Sequence, residues 1–491
     1  MNSKQASALL CNNFLLSNIG LNSLNSFTLL ETDYLIIGGG ATAMAFVDTL
    51  LSETEEDQIL IIDRNHQPGG HWNQAYPFVR LHQPSSFYGV SSAELSKGIK
   101  DQVGFNAGFF ELASGAAVKA YFDDVMRHRF LPSGRVQYFP MSNYDGEGKF
   151  TSLLTGEVQE VRVNKKVVDS TYLQTRIPAT HEPNFTVAEE IPFIPINELV
   201  NISEPPEGFV VIGGGKTGMD ACVWLLDNQV PADRISWIVP RDSWLLDRKT
   251  TQPSQEFFES TVGNMAAQFE SVAQADSIPD LFKRLEENGV LTRVDQDIRP
   301  KMFHGATVCQ KELDMLRSIK KVIRLGRVKE ITTEQIVLDE GSIPTSTNLI
   351  HIDCTASAIS NLEITPIFQG DRIIPQTIRS YQPLFSASLI AYIEAHFTTD
   401  AEKNGLCQVV PLPNHDTDWI RMLATFMMNQ YSWNQHRSIR KWLLGNRLDG
   451  FSQLLAEADR HDPVKQGIIK RMRDNIMPAM VKLQQFMKEL S

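Results

Sequence analysis

The sequence predicts an α/β protein built on two parallel sheets, followed by a helical C-terminal region. One pattern carries this prediction, because a buried strand, a glycine-rich turn, a helix and a second buried strand follow one another twice, from residue 34 and again from residue 209. After residue 413, apolar side chains instead recur at helical spacing. A chain of 491 residues, 42% hydrophobic and 21% charged, is long enough for two or three folded domains.

The charge balance and the cysteines exclude several classes of protein. Lys and Arg number 46 against 58 Asp and Glu, so the net charge of −12 leaves no broad basic face for nucleic acid. The five cysteines are far apart and include no Cys-x-x-Cys pair, which argues against a disulfide framework or a redox dithiol and favours a reducing compartment such as the cytoplasm. No apolar run approaches the roughly 18 residues that a membrane span needs.

The N-terminal segment differs from the rest of the chain. Residues 1–31 are rich in Asn and Ser, and their apolar patches are interrupted, so we expect a flexible extension. The alternative is a weak secretory signal, although such a signal has a continuous apolar stretch of about 7–15 residues. Regular structure is expected to begin at Thr32.

The first glycine turn follows an unbroken apolar strand that begins at Tyr34. Gly38 makes the tight turn, Gly40 lets the backbone approach a pyrophosphate, and the small Ala43 packs the helix on the strand. The second strand ends at Asp63, where a carboxylate accepts hydrogen bonds from ribose hydroxyls. This unit therefore predicts a dinucleotide site.

The second glycine turn repeats the same spacing. Its predicted cofactor-binding residues are Gly213, Gly215, Lys216, Thr217 and Gly218. Lys216 and Thr217 also suggest the phosphate-binding loop of nucleoside triphosphatases, but that motif needs glycine where Val210 stands. Two Rossmann-like dinucleotide-binding domains are therefore predicted.

The ends of the two second strands differ in charge. Asp63 would repel a 2′-phosphate, which favours FAD in the first site, whereas Arg241 offers a guanidinium to a 2′-phosphate, which favours NADPH in the second. The alternative for Arg241 is a solvated loop residue whose place Arg248 or Lys249 takes.

Two further apolar strands indicate where the chain passes between the units. One strand ends at Asp169, before the second glycine turn, and the other ends at Asp353, after it. In both cases a threonine follows two residues after the aspartate. This symmetry predicts that the second domain is inserted in the first, with Asp353 at the return and among the cofactor-binding residues. The predicted domains are an FAD-binding domain at 32–206 and 350–412, an NADPH-binding domain at 207–349 with a helical insert at about 250–318, and a helical region at 413–491.

The segment after Asp63 carries a resemblance to a known group of enzymes. The order of a G-x-G-x-x-A turn, a strand-terminal acid, Gly69-Gly70-His71-Trp72, Tyr76-Pro77 and a second G-x-G-x-x-G turn resembles the class B flavin-dependent monooxygenases, over roughly residues 32–245. This group contains flavin-containing, Baeyer–Villiger and N-hydroxylating enzymes.

Four residues of this segment join the candidate cofactor site. Gly69 and Gly70 are expected to let the backbone approach FAD, Trp72 to form an aromatic wall, and His82 to hydrogen-bond the flavin or the substrate. A buried core aromatic is the alternative for Trp72, and a structural histidine is the alternative for His82.

The resemblance implies that NADPH reduces FAD, that the flavin takes up dioxygen as a C4a-oxygen adduct, and that one oxygen atom passes to a small-molecule substrate. No catalytic side chain is assigned, and no metal site is predicted. The linker after Ile177 departs from the F-x-G-x-x-x-H-x-x-x-[YF] signature of this group. Two alternatives therefore stay open: an NADPH:acceptor flavin reductase, and a non-catalytic flavin-binding redox sensor.

Overall fold

The computed structural model describes residues 29–173, 176–356 and 363–490, so most of the predicted N-terminal extension lies outside the described residues. The strands are β1 (Leu30–Ile37), β2 (Ile59–Ile62), β3 (Gly89–Val90), β4 (Ala93–Glu94), β5 (Val136–Phe139), β6 (Ser142–Gly146), β7 (Lys149–Ser152), β8 (Val158–Asp169), β9 (Thr186–Val187), β10 (Phe193–Pro195), β11 (Gly208–Ile212), β12 (Ile235–Ile238), β13 (Ser243–Asp247), β14 (Met302–Val308), β15 (Lys321–Ile323), β16 (Val328–Ile331), β17 (Gln335–Leu338), β18 (Gly341–Pro344), β19 (Leu349–Asp353), β20 (Phe368–Gln369) and β21 (Arg372–Ile373).

The α-helices are α1 (Ala41–Glu53), α2 (Gly115–Val125), α3 (Lys216–Asp227), α4 (Phe258–Gln274), α5 (Ile278–Glu287), α6 (Gln310–Ser318), α7 (Pro383–His396), α8 (Asp400–Leu406), α9 (Asp418–Gln435), α10 (Arg437–Gly445), α11 (Phe451–Ala456) and α12 (Pro463–Glu489). Among these helices, none is both long enough and apolar enough to cross a membrane.

The first sheet has the strand order β20-β21-β8-β1-β2-β5, and the hairpin β6-β7 extends it from β8. The central strand β1 is parallel to β2 and β8, and Ile37 at its end is paired with Asp169. The apolar run of β1 follows from its position, because a central parallel strand is covered on both faces. One cover is α1, which packs against α7.

The second sheet is all parallel, with the order β10-β19-β11-β12-β15. Its central strand β11 lies between β12 and β19, as β1 lies between β2 and β8, and Ile212 is paired with Asp353. The domain boundary predicted at residue 350 therefore falls within a strand of the second sheet. The chain rejoins the first sheet at β21, which pairs with β8.

The insert predicted as helical at 250–318 contains α4, α5 and α6, but it also contains β14, which pairs in parallel with β13. The sequence pattern hides this strand because His304 and Gly305 interrupt its apolar residues. The insert shares a core with the C-terminal helices, since α12 packs along α4 and Trp419 of α9 meets Phe282 of α5.

Candidate functional site

The first glycine turn lies between the end of β1 and the start of α1. Gly38 has a φ of +90°, in the region that favours glycine, and a Cβ there would lie 2.8 Å from Cγ2 of Thr171. Gly40 precedes α1, and no described side chain caps the helix there. The amide groups of the first turn of α1 are therefore left for an outside acceptor, an arrangement that suits a phosphate group.

Gly69 and Gly70 reach this turn from the segment after β2. The amide of Gly69 donates to the carbonyl oxygen of Gly39 at 2.8 Å, and a Cβ on Gly70 would lie 2.9 Å from Cα of Gly40. The backbone at Gly70 is in direct contact with the backbone at Gly40, so a larger residue at Gly70 would displace the glycine turn. Ala43 is fully buried where α1 packs on the sheet.

Asp63 follows β2 directly and lies beside the same turn. Its Oδ1 accepts hydrogen bonds from the backbone and side-chain amides of Asn65, both at 3.1 Å, and a Cβ on Gly39 would overlap its Oδ2. Asp63 is 4% exposed. Burial raises the pKa of its carboxyl, and the groups that oppose this shift are hydrogen-bond donors, chiefly Asn65, rather than a cation.

The second glycine turn has the same construction. Gly213 has a φ of +134°, and a Cβ there would lie 2.5 Å from the carbonyl oxygen of Cys354. A Cβ on Gly218 would overlap the carbonyl oxygen of Gly213, which already accepts a hydrogen bond from Nε1 of Trp237 at 2.9 Å. Gly215, by contrast, precedes the uncapped α3 and has open space around its Cβ position within the described chain.

Each glycine turn has an Asp-x-Thr turn next to it. Oδ1 of Asp169 accepts from the amide and hydroxyl of Thr171 at 3.1 and 2.7 Å, and Oδ1 of Asp353 accepts from those of Thr355 at 2.8 and 2.7 Å. Asp353 thus holds a turn beside Gly213, at the position that Asp169 has beside Gly38. We call residues 38–43, 63, 69–70 and 169–171 the first cradle, and residues 213–218, 241 and 353–355 the second cradle.

Trp72 is mostly buried beside the first cradle. It is 8% exposed, its Nε1 donates to the hydroxyl of Tyr88 at 2.6 Å, and it belongs to the main hydrophobic core. The exposed ring at this place is His71, which stacks on Trp72 with centroids 5.4 Å apart.

Lys216 lies in a buried charge network. It forms ion pairs with Asp220 and, at 3.6 Å, with Glu312, which also pairs with Arg248 at 2.6 Å. Burial would raise the pKa of Glu312, but Lys216 and Arg248 hold it at about 2. Arg248 is 1% exposed, so it cannot take the place of Arg241 at the surface.

The segment 76–82 follows the first cradle and contacts α3, the helix that begins in the second cradle. The hydroxyl of Tyr76 donates to Asp220 at 2.6 Å, Phe78 stacks on Trp224 at 4.9 Å, and the carbonyl oxygen of His82 accepts from Arg248 at 3.0 Å. A cleft of about 280 Å³ lies along this segment, and Arg80, Lys216, Asp220 and Glu312 are among its lining residues.

The imidazole of His82 carries a strongly shifted pKa. Burial, with Lys216 and Arg248 nearby, lowers it to about 4. The ring is therefore neutral at pH 7 and can exchange hydrogen bonds without adding a charge.

Arg241 follows β12 beside the second glycine turn. It donates to Oδ1 of Asn414 at 2.8 Å, and Nε2 of His304 lies 3.1 Å from the same oxygen. Burial lowers the pKa of Arg241, and the charge of Arg327 lowers it further. Two guanidinium groups, Arg241 and Arg327, are thus close together at this end of the second cradle, next to the imidazole of His304, whose pKa is lowered by burial.

Relatives in mycobacteria align with most of this chain. Uncharacterized proteins Mb2023 of Mycobacterium bovis and Rv2000 of Mycobacterium tuberculosis are each 42% identical over 450 residues, which cover 92% of this chain and 83% of the relative. The chain belongs to the family of these mycobacterial proteins. No protein-family model matches it.

Similar solved structures are far more distant in sequence. A flavin-containing monooxygenase from Stenotrophomonas maltophilia is 12% identical with a TM-score of 0.42, over 75% of this chain and 98% of that one. Cyclohexanone-bound cyclohexanone monooxygenase is 13% identical with a TM-score of 0.47, over 75% and 88%. A bacillithiol disulfide reductase from Staphylococcus aureus is 12% identical with a TM-score of 0.40, over 76% and 100%. The flavin monooxygenases are the group that the motifs of residues 32–245 resemble.

Sequence analysis alone missed several residues of the site. Glu312 and His304 come from the insert, and Arg327 from the loop between β15 and β16, so all three reach the second cradle from distant parts of the chain. No spacing in the sequence could have related them to the glycine turn. Tyr76 was visible in the Tyr-Pro motif, but its hydrogen bond to Asp220 was not.

Proposed function

We propose that this chain is an oxidoreductase that binds FAD in the first cradle and NADPH in the second. The observation that carries the proposal is the equivalence of the two cradles. Each combines a buried parallel strand, a glycine turn with a positive φ, an uncapped helix and an Asp-x-Thr turn. A pyrophosphate is bound well where glycines let the backbone come close to it and where the amides at a helix N-terminus are free. Both cradles have these features, so the residues present fit two dinucleotides.

In the first cradle, the amides of the turn and of α1 would bind the FAD pyrophosphate. Asp63 would accept hydrogen bonds from ribose hydroxyls, and its charge would disfavour a 2′-phosphate. When bound, FAD supplies the acceptance of a hydride and its onward transfer. Gly69 and Gly70 would keep the cradle narrow, and the neutral His82 would hydrogen-bond the flavin or the substrate.

In the second cradle, Gly215 would let the NADPH pyrophosphate approach the start of α3, where Thr217 lies in the first turn. Arg241, with Arg327 beside it, would bind the 2′-phosphate, because two nearby guanidinium groups favour an added negative charge. Burial lowers the pKa of His304, so this imidazole would support the site through its contact with Asn414 and not through a charge. Lys216 would act through its ion pairs, which fix the start of α3 against the insert.

The reaction we propose is the insertion of one atom of dioxygen into a small molecule. The chain's own contribution would be to align the two cofactors, to exclude water and to present hydrogen-bond donors. A second candidate is electron transfer to another acceptor without oxygen insertion, and the missing signature after Ile177 favours it.

The proposal is tested on the purified chain. We expect stoichiometric FAD, seen in the visible absorbance, and oxidation of NADPH faster than of NADH. With isotope-labelled dioxygen, label in the product supports oxygen insertion, whereas NADPH oxidation that requires an added quinone supports the second candidate. A chain that binds no FAD after reconstitution would overturn both.

A further inference from the structure

A large cavity lies between the insert and the C-terminal helices, apart from both glycine turns. Its volume is about 510 Å³, within the roughly 300–1,000 Å³ that is typical of small-molecule sites. Helices α4, α9 and α12 supply most of its wall, and side chains that represent this wall are Met265, Phe269, Met422, Phe426, Met472 and Met480.

The methionines and the exposed rim make the cavity suited to an apolar occupant. Thioether side chains are flexible and polarizable, so they adapt to ligands of irregular shape. Tyr431 and Met477 line the cavity and are nevertheless 59% and 61% exposed, so the cavity opens to solvent through an apolar rim. Tyr431 and Met477 at this opening would suit the entry of an apolar molecule.

The charges of the lining argue for a neutral occupant. Arg379 is the one ionisable side chain with a permanent charge among the described lining residues, and it is 4% exposed. It is paired with Asp449, lies 3.9 Å above the ring of Phe385, and donates to Oε1 of Gln430 at 3.0 Å. Its charge is compensated, so an anionic ligand would find no free cation in this cavity.

Unpartnered polar atoms mark one end of the cavity. The hydroxyls of Ser380 and Tyr381 and Nε of Arg379 are buried, with no hydrogen-bond partner among the described residues. Buried polar atoms are usually satisfied, so three in successive residues indicate a missing partner. Burial raises the pKa of Tyr381, which keeps its hydroxyl protonated as a donor at neutral pH.

The placement of Tyr381 is itself unusual. Its φ is +63°, a conformation that residues with a side chain rarely adopt. Gly305 makes room for the ring, because a Cβ there would lie 2.8 Å from Tyr381. Strained residues of this kind tend to occur at ligand sites.

The same cavity reaches the segment that leaves the first cradle. Gln83 and Phe87, just beyond His82, line it. Arg447 holds this segment through hydrogen bonds to the carbonyl oxygens of Ser86 and Tyr88, both at 2.8 Å. The cavity therefore borders the segment that follows His82.

We propose that this cavity binds the substrate, and that the substrate is a neutral, largely apolar molecule with a hydrogen-bond acceptor that meets the hydroxyl of Tyr381. Calling this ligand the substrate rests on the proposed function, whereas binding itself does not. A ring system of two fused six-membered rings is a suitable probe, since aromatic and thioether side chains dominate the wall.

The test compares acetylnaphthalene with ethylnaphthalene by calorimetric titration of the full chain loaded with FAD. Both should bind, and the acetyl compound more tightly. Tyr381→Phe should weaken the binding of acetylnaphthalene about fivefold, which corresponds to the loss of one hydrogen bond. The affinity for ethylnaphthalene should not change. Equal losses for the two probes would overturn the assignment of the Tyr381 hydroxyl.

A second variant tests the cavity independently of its polar end. Met265→Trp should fill the cavity and weaken the binding of both probes at least tenfold. The control is Met428→Trp, on the exposed face of α9 and outside the lining, which should leave both affinities unchanged. If the two tryptophan variants behave alike, or if neither probe binds the wild type, the proposal is wrong.

Flavin content and NADPH oxidation, measured on the same samples, separate this proposal from the proposed function. Probe binding in a chain that retains no FAD would leave the cavity assignment intact and refute the oxidoreductase. Retained FAD and NADPH oxidation without probe binding would refute the cavity alone. Far-ultraviolet circular dichroism confirms that each variant is folded, and Tyr381→Phe, the smaller change, decides the outcome if Met265→Trp does not fold.

Discussion

Asp63 lies in an environment that disfavours its charge. It is 4% exposed and has a raised pKa, so folding disfavours its charged form. Because the pKa of this carboxyl is higher in the folded state than in the unfolded state, its contribution to the free energy of unfolding is favourable at low pH. That contribution is lost as the pH rises through the folded-state pKa. A group with this property is more readily explained by a ligand than by the fold.

We therefore expect Asp63→Asn to weaken FAD binding about ten- to hundredfold without lowering the thermal stability of the apoprotein at pH 7. The amide keeps the shape but loses a charged acceptor for ribose hydroxyls. Fluorescence titration with FAD and calorimetric unfolding measure the two effects. Asp145→Asn, on the exposed hairpin β6-β7, is the control and should leave FAD affinity unchanged.

His82 should make stability depend on pH. Its pKa is lowered from 6.5 to about 4, so the unfolded chain takes up the proton first as the pH falls. Between these values the folded state should lose on the order of 3 kcal/mol relative to the unfolded one. Urea unfolding across this window should show a shallower pH dependence for His82→Gln than for the wild type. An exposed histidine provides the control: His128→Gln should keep the wild-type dependence, and equal slopes for all three proteins would contradict the prediction.

Arg241 should determine the preference for NADPH. Arg241→Glu should raise KM for NADPH about ten- to hundredfold and KM for NADH far less, because the substitution reverses the charge that would face the 2′-phosphate. Lys249→Glu, which changes the charge of an exposed neighbour, should leave both constants unchanged. Steady-state kinetics with the two nucleotides measures the effect. If both constants rise equally, another residue binds the phosphate.

Among the elements, the start of α3 offers a matched pair of glycines. A Cβ on Gly218 would overlap the carbonyl oxygen of Gly213, whereas the Cβ position of Gly215 is open. Gly218→Ala should lower Tm by several degrees, since overpacking costs about 1–3 kcal/mol. Gly215→Ala should leave Tm unchanged and weaken NADPH binding, because its methyl group would occupy the space proposed for the pyrophosphate. Equal NADPH binding by Gly215→Ala and the wild type would contradict this account.

The elements that the sequence could predict are those with local signals. The apolar runs of β1 and β11 and the glycine turns after them lie within a few residues of each other, so pattern and spacing sufficed. The sequence of β19 could not show that this strand pairs with β11. Both β8, in the first sheet, and β19, in the second, are apolar strands that end in Asp-x-Thr. For the same reason, the sequence analysis placed Asp353 where the chain returns to the first domain, whereas the structure places it beside the second glycine turn.

The insert shows a different limit of sequence analysis. Its helices are recognisable from their periodicity, but β14 is interrupted by polar and glycine residues and is held by its partner β13. The large cavity depends on α4, α9 and α12 together, and α4 (Phe258–Gln274) is far in the chain from α9 (Asp418–Gln435) and α12 (Pro463–Glu489). No local pattern reports such an arrangement, and the methionines alone would equally suit an ordinary core.

In the whole molecule, the segment that follows the first cradle packs against α3, the helix that begins in the second cradle. Tyr76 and Phe78 contact α3, His82 contacts Arg248 of the charge network, and Gly69 is hydrogen-bonded to the first glycine turn. The aromatic contact of Trp244 with Phe282, at 5.8 Å, ties the insert to the same body. We therefore expect the cofactors to share one cleft.

The most direct test is to mix the FAD-loaded chain with NADPH in the absence of oxygen and follow the visible absorbance of the flavin. If both cradles face one cleft, the absorbance should bleach within the time of a few turnovers, and it should return when oxygen or another acceptor is admitted. If the chain binds both nucleotides and the flavin stays oxidised, the two cradles do not exchange electrons and the account is wrong.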